Sequence, residues 1–127
     1  MSERRRWICK PAGFLIVLLA LTAVTSADEF KKGTYSARTG GVKFSIKYDE
    51  SGKVTVSRNG EIVVEGTYKV KGDELEVRDE KGAMACGGDQ PGKYKWKLEG
   101  KKLTLTKVED ECGGRSTALT AQAWEQE

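Results

Sequence analysis

The stretch Val54 to Val70, VTVSRNGEIVVEGTYKV, decides how this chain is read. Val54 and Val56 alternate with Thr55 and Ser57. After Asn59-Gly60 the alternation resumes, with Ile62, Val64, Gly66, Tyr68 and Val70 on one side and Val63, Glu65, Thr67 and Lys69 on the other. A period of two with one wet face is the signature of antiparallel strands, and Asn-Gly tolerates positive φ at both centres of a two-residue hairpin turn. The segment is therefore predicted to be a β-hairpin.

The same pattern extends in both directions. Val42, Phe44, Ile46 and Tyr48 alternate with Lys43, Ser45 and Lys47; Leu75 and Val77, then Tyr94, Trp96 and Leu98, then Leu103 and Leu105 repeat it downstream. Turn signals stand between these runs at Gly40-Gly41, Asp49 to Gly52, Lys71 to Asp73, Gly87 to Gly92 and Glu99 to Lys101. Regularly spaced short strands with such turns predict an all-β sandwich or closed barrel. A weak internal repeat places Gly33-Thr34-Tyr35, Gly66-Thr67-Tyr68 and Gly92-Lys93-Tyr94 on strands, where a glycine two before an inward aromatic lets the ring lie over it. Ser116 to Glu127 reads as a short helix followed by a brief last strand at Trp124.

The first 27 residues read differently. Arg4, Arg5, Arg6 and Lys10 precede the apolar run Phe14 to Val24, and Thr25-Ser26-Ala27 supplies small residues. This is the pattern of a secretory signal peptide cleaved after Ala27. The rival, a retained membrane anchor, is disfavoured because 11 apolar residues fall short of the roughly 20 that cross a bilayer. Arg5-Arg6 faintly resembles a twin-arginine signal, but the apolar run is greasier than such signals tend to be, favouring the general secretory route. Cys9 precedes the apolar run, so it does not fit a lipid-attachment cysteine.

Removing that leader changes the charge. Of 22 basic and 19 acidic residues, the leader holds four and one, leaving 18 of each in residues 28–127. The processed chain is neutral, so nothing in its charge balance argues for nucleic acid or an anionic membrane surface, and no membrane span remains. It is expected to be a single secreted or periplasmic domain of 100 residues, small enough for its core to be marginal without a staple.

Cys86 and Cys112, each followed by two glycines, are the cysteines that stay. An even pair in an oxidising compartment reads as a disulfide. Redox pairs favour Cys-x-x-Cys and zinc wants four ligands, whereas these stand 26 positions apart in a chain without histidine. No metal or cofactor is expected. The same lack of histidine excludes Ser-His-Asp and Cys-His catalysis. Glu109-Asp110-Glu111 offers carboxylates for a glycosidase. Neighbouring strand positions face opposite ways, however, and the preferred reading pairs Asp110 with Arg115 or has it cap the following turn. The protein is expected not to be an enzyme.

The run Gly92-x-Tyr94-x-Trp96, then Leu103-x-Leu105, then Asp110-x-Cys112-x-x-Arg115 and Leu119, resembles small secreted bacterial proteins of lipocalin-like (calycin) type, over the stretch from about Val42 to Trp124. The resemblance implies an up-and-down barrel of about eight strands that holds a small apolar ligand. Lipocalins open with Gly-x-Trp on the first strand, against which a late basic residue packs; here Gly33-Thr34-Tyr35 and Arg115 take those places.

The candidate ligand site is thus the inward face, with Tyr35, Phe44, Tyr68, Tyr94 and Trp96 as walls and Arg115 at a rim. The competing reading is that these rings, with Tyr48, fill the barrel, because an eight-stranded barrel is just wide enough for its own side chains or one small ligand. The alternative function is binding or inhibition of an extracytoplasmic protein, such as a protease or lysozyme, through the loop Gly87 to Gly92 beside Cys86. Against that stands an ordinary glycine-rich connection.

Overall fold

The computed structural model describes residues 29–127; the expected signal peptide and its expected cleavage point lie outside the described residues. Strands β1 (Gly33–Thr39), β2 (Val42–Tyr48), β3 (Lys53–Arg58), β4 (Glu61–Lys71), β5 (Glu74–Lys81), β6 (Gly92–Glu99) and β7 (Lys102–Glu109) are followed by helix α1 (Gly113–Thr120) and strand β8 (Trp124–Gln126). Each strand pairs antiparallel with the next, and β8 returns to β1, so the sheet closes as an up-and-down barrel. The expected fold, its late helix and its last strand at Trp124 are all present.

Hairpin geometry follows the turn chemistry. Asn59 and Gly60 both take positive φ, 49° and 87°, as the primed two-residue turn requires. The Asn59 side chain also reaches the neighbouring strand, accepting a 2.9 Å bond from the Lys43 amide, while its own amide donates to the Lys43 carbonyl at 2.7 Å. At the β2–β3 turn, the Asp49 carboxylate accepts from the Ser51 amide, the Ser51 hydroxyl and the Lys53 amide, each at 2.9 Å. These bonds, that from Lys53 foremost, hold the Asp49 carboxyl below the usual range.

The alternation of β4 departs from expectation at one place. Ile62, expected on the inward face, is 55% exposed, whereas Val63 is only 6% exposed. The cause is a register shift between Val56 and Ser57 opposite, together with the segment after β5, whose Met84 amide donates to the Val63 carbonyl at 2.9 Å and covers Val63 from outside. A second shift, between Glu65 and Gly66, brings Gly66 opposite Asp79. A Cβ on Gly66 would collide with the Arg78 carbonyl oxygen, so the bulge needs glycine there. At Gly92 a Cβ would meet the Tyr94 ring and the Asp110 carboxylate. The expected ring-over-glycine arrangement therefore holds at Gly92, while at Gly66 the obstacle is backbone.

Closure rests on a short strand. β8 pairs with Tyr35 and Ser36 of β1 and with Lys102 and Leu103 of β7. Beyond those residues α1 packs against β7, buries Leu119 in the core and receives the Trp124 indole N–H on the Leu119 carbonyl at 3.1 Å. An eight-residue helix is marginal by itself, so tertiary packing holds it in place.

The two ends of the barrel differ. One, the mouth, gathers the segment before β1, the turns at 49–52, 72–73 and 100–101 and the chain's last residues. The other, the clasp end, gathers the turns at 40–41 and 59–60, the loop 82–91 and the segment 110–123.

Gly66→Ala is expected to destabilise the chain by about 2 kcal/mol or more, because the bulge must be rebuilt. Gly87→Ala, where a Cβ meets nothing within 4 Å, should stay within about 0.5 kcal/mol of the parent. Urea denaturation of the two variants checks both.

Candidate functional site

The mouth is closed by a residue from outside the strand pattern. Phe30, in the strap before β1, lies 5.1 Å from the Tyr48 ring and 5.4 Å from Trp96, both edge-on, and 6.5 and 6.2 Å from Tyr35 and Tyr68. Edge-to-face packing at these separations is favourable beyond the area it buries. The rings behind Phe30 turn their polar ends to backbone at the rim. Tyr35 donates to the Lys31 carbonyl at 2.6 Å, Tyr68 to the Asp49 carbonyl at 2.5 Å, and the Trp96 indole to the Gly72 carbonyl at 2.9 Å. On its outer side the strap borders an open groove of about 560 Å³, lined by Phe30 and Leu98 with Glu29, Lys31, Lys32, Glu50 and Gln126 around them. Phe30 therefore separates a polar-rimmed groove from a ring-lined interior.

Tyr48 is the exception among the rings. It is 1% exposed and packs edge-on against Phe30, Tyr35 and Tyr68, yet its hydroxyl has no hydrogen-bond partner among the described residues. Burial, reinforced by the Tyr35 and Tyr68 hydroxyls, pushes its pKa far above that of an ordinary phenol, so it remains a neutral donor.

The clasp end holds the polar cluster. Cys86 and Cys112 form the expected disulfide, with Cα atoms 6.2 Å apart. Arg115 donates to Asp110 through Nε and Nη2, both at 2.7 Å, and through Nη2 to the Gln90 carbonyl at 3.1 Å; its Nη1 lies 3.4 Å from Asp79. The Tyr94 hydroxyl donates to Asp110, and the Cys112 amide donates to the same carboxylate at 2.9 Å. On the other arm the Cys86 amide donates to Asp79 at 2.8 Å. Burial would raise the Asp110 pKa, but Arg115, Tyr94 and the Cys112 amide outweigh it and hold the carboxyl below the usual range. Asp110 thus both pairs with Arg115 and caps the turn at Cys112.

The predicted site residues separate accordingly. Tyr35, Tyr68 and Trp96 meet at the mouth. Phe44, four residues before Tyr48 on β2 and so about 13 Å along the strand, is half-buried at the edge of the core toward the clasp end. Tyr94 is buried between the two ends, with its hydroxyl at the clasp. Arg115, matched to Gly33-Thr34-Tyr35 by the resemblance and also read as a partner of Asp110, lies with Asp110 and Asp79 and not beside Tyr35, because the helix that carries it follows β7 at the clasp end. Phe30 and Asp79 escape sequence reading: Phe30 precedes the alternating pattern, and Asp79 reaches the cluster through the bulge opposite it. Among the described residues no group of three or more His, Cys, Asp or Glu side chains could hold a metal ion, and no helix is long and apolar enough to cross a membrane.

Three outcomes are expected. Arg115→Ala leaves two carboxylates buried without their cation and should cost about 3 kcal/mol in urea denaturation. Asp110, with its folded-state pKa below the unfolded value of about 3.9, contributes fully above about pH 5, and that stability is lost as pH falls through the folded value; Asp110→Asn should flatten this acid slope. Tyr48→Phe, which removes an unpartnered buried hydroxyl, should stabilise the chain by about 1 kcal/mol.

Compared with known proteins, the chain matches no family model, no curated protein and no solved structure, so the site is read from its own geometry.

Proposed function

We propose that the chain is an exported, non-enzymatic binding protein that takes one small apolar or amphipathic molecule at the barrel mouth. The supporting observation is the position of Phe30, an apolar floor shared by an open groove and the ring-lined interior. Ligand sites are characteristically concave and apolar with a few polar groups at their edge. Here Phe30 and Leu98 supply the apolar surface, and Glu29, Lys31, Lys32 and Glu50 supply charge of both signs around it. Behind Phe30 the rings of Tyr35, Tyr48, Tyr68 and Trp96 belong to the buried core, and an eight-stranded barrel has room for at most one small ligand. Tyrosines and tryptophan with their polar ends tied to the rim form a preorganised wall, which reduces the entropy lost on binding.

A second reading, an inhibitor or protein-binding module, draws support from the clasp end. The exposed large apolar residues among those described, Ile62, Met84 and Val108, all lie toward that end. The loop between Cys86 and Gly92 is held there by the disulfide, by Arg78 on the Asp89 carbonyl and by Arg115 on the Gln90 carbonyl.

Native mass spectrometry of the protein purified gently from an exporting host distinguishes the two. A small molecule retained on the folded chain and released on unfolding is the expected result. A bare chain, together with inhibition of lysozyme or a protease that Met84→Asp abolishes, would move the function to the clasp-end surface.

A further inference from the structure

Two features of the mouth point beyond the stability of the barrel. The first is the Tyr48 hydroxyl. Phenylalanine would fill the same space without burying an unpartnered donor, which is costly to leave unmade. A group that breaks the rule of satisfied burial points to function. The second is the way Phe30 is held. Residues 29–32 belong to no strand, and the side-chain hydrogen bond to this strap, from Tyr35 to the Lys31 carbonyl, leaves Phe30 itself anchored by ring packing. An incoming ring can replace such contacts like for like.

We infer that Phe30 is a displaceable plug, and that the ligand is a planar aromatic molecule bearing a hydrogen-bond acceptor, its ring seated where Phe30 sits and its acceptor on the Tyr48 hydroxyl. This rests on the barrel-mouth reading above. The slot selects an aromatic ring because its walls are the faces and edges of Tyr35, Tyr48, Tyr68 and Trp96, with Tyr48 at 87° and Trp96 at 78° to the occupant. The acceptor is what lets the ligand compete. Phe30 is tethered and always present, so a ring that merely copies its contacts gains nothing over it. A ring with a carbonyl or ether oxygen gains the Tyr48 hydrogen bond, which Phe30 cannot make. The displaced strap and the charged rim of the groove would then cover the ligand's polar or solvent-facing end.

The test uses acetophenone as probe, ethylbenzene as its counterpart without an acceptor, and decanoate as a chain amphiphile. Binding is followed by the fluorine resonance of Phe30 in protein labelled with 4-fluorophenylalanine. Acetophenone is expected to bind the wild-type protein, to move the Phe30 resonance to that of a solvent-exposed ring, and to bind about tenfold tighter than ethylbenzene. Tyr48→Phe should erase that preference. Phe30→Ala should tighten both aromatic probes by about tenfold or more, because the competing occupant is gone. Equal binding of the two aromatics to wild type, or a preference that survives Tyr48→Phe, overturns the assignment of the acceptor. Binding of aromatics to Phe30→Ala alone shows that Phe30 is a fixed part of the core and overturns the plug. Decanoate binding that leaves the Phe30 resonance unmoved, with no aromatic binding, overturns the inference and leaves the mouth as a ligand site. Failure of all three probes with both chains overturns the barrel-mouth reading as well.

Discussion

The Asp110 carboxylate is where the second half of this barrel is tied together. It accepts two bonds from Arg115 on α1, one from Tyr94 on β6 and one from the Cys112 amide that opens the helix. A buried carboxylate is tolerated only when it is paired and hydrogen-bonded, and here the four bonds together serve three structural needs. Tyr94 must bury its ring and satisfy its hydroxyl, α1 must be held over the stretch of β7 that β8 does not reach, and Arg115 must fix the loop through Gln90. One anion meets all three.

The disulfide is joined to this cluster at both ends and acts in parallel with it. The amides of both cysteines donate to aspartates that share Arg115, so each end of the covalent link is also an end of the ionic one. In the chain-entropy model, closing a loop with a separation of 26 contributes about 3.5 kcal/mol, a large share of the net stability of so small a domain. The ionic arm acts differently. It fixes the native geometry around the loop 82–91, whereas the disulfide acts chiefly by restricting the unfolded chain.

The mouth is built on the opposite plan. At its centre, among the described residues, rings meet rings, and the polar ends of Tyr35, Tyr68 and Trp96 find backbone carbonyls at the rim. Such packing is non-directional in its main energetic contribution and can be exchanged for similar packing. The covalent and ionic clasp at one end and the ring packing at the other give the two ends different chemistry; on the proposed reading the first is the scaffold and the second the site.

Much of this was legible in the chain itself. Alternation in Val54 to Val70 and its repeats, Asn59-Gly60, the paired cysteines and the stretch from Ser116 onward point to strands, turns, disulfide and late helix, because those depend on side chains near in sequence or on simple pairing. What alternation could not show is where it slips. The bulges at Val56/Ser57 and Glu65/Gly66 put Ile62 outside and Asp79 into the cluster, since register depends on the partner strand and on the segment laid over it. Spacing offered Arg115 two partners, Asp110 and the Tyr35 strand, without deciding between them, and it could not show that Asp79 joins the first or that Phe30 enters the mouth. Those are properties of closure: only when β8 meets β1 does the strap before β1 lie across a ring of aromatics gathered from four different strands.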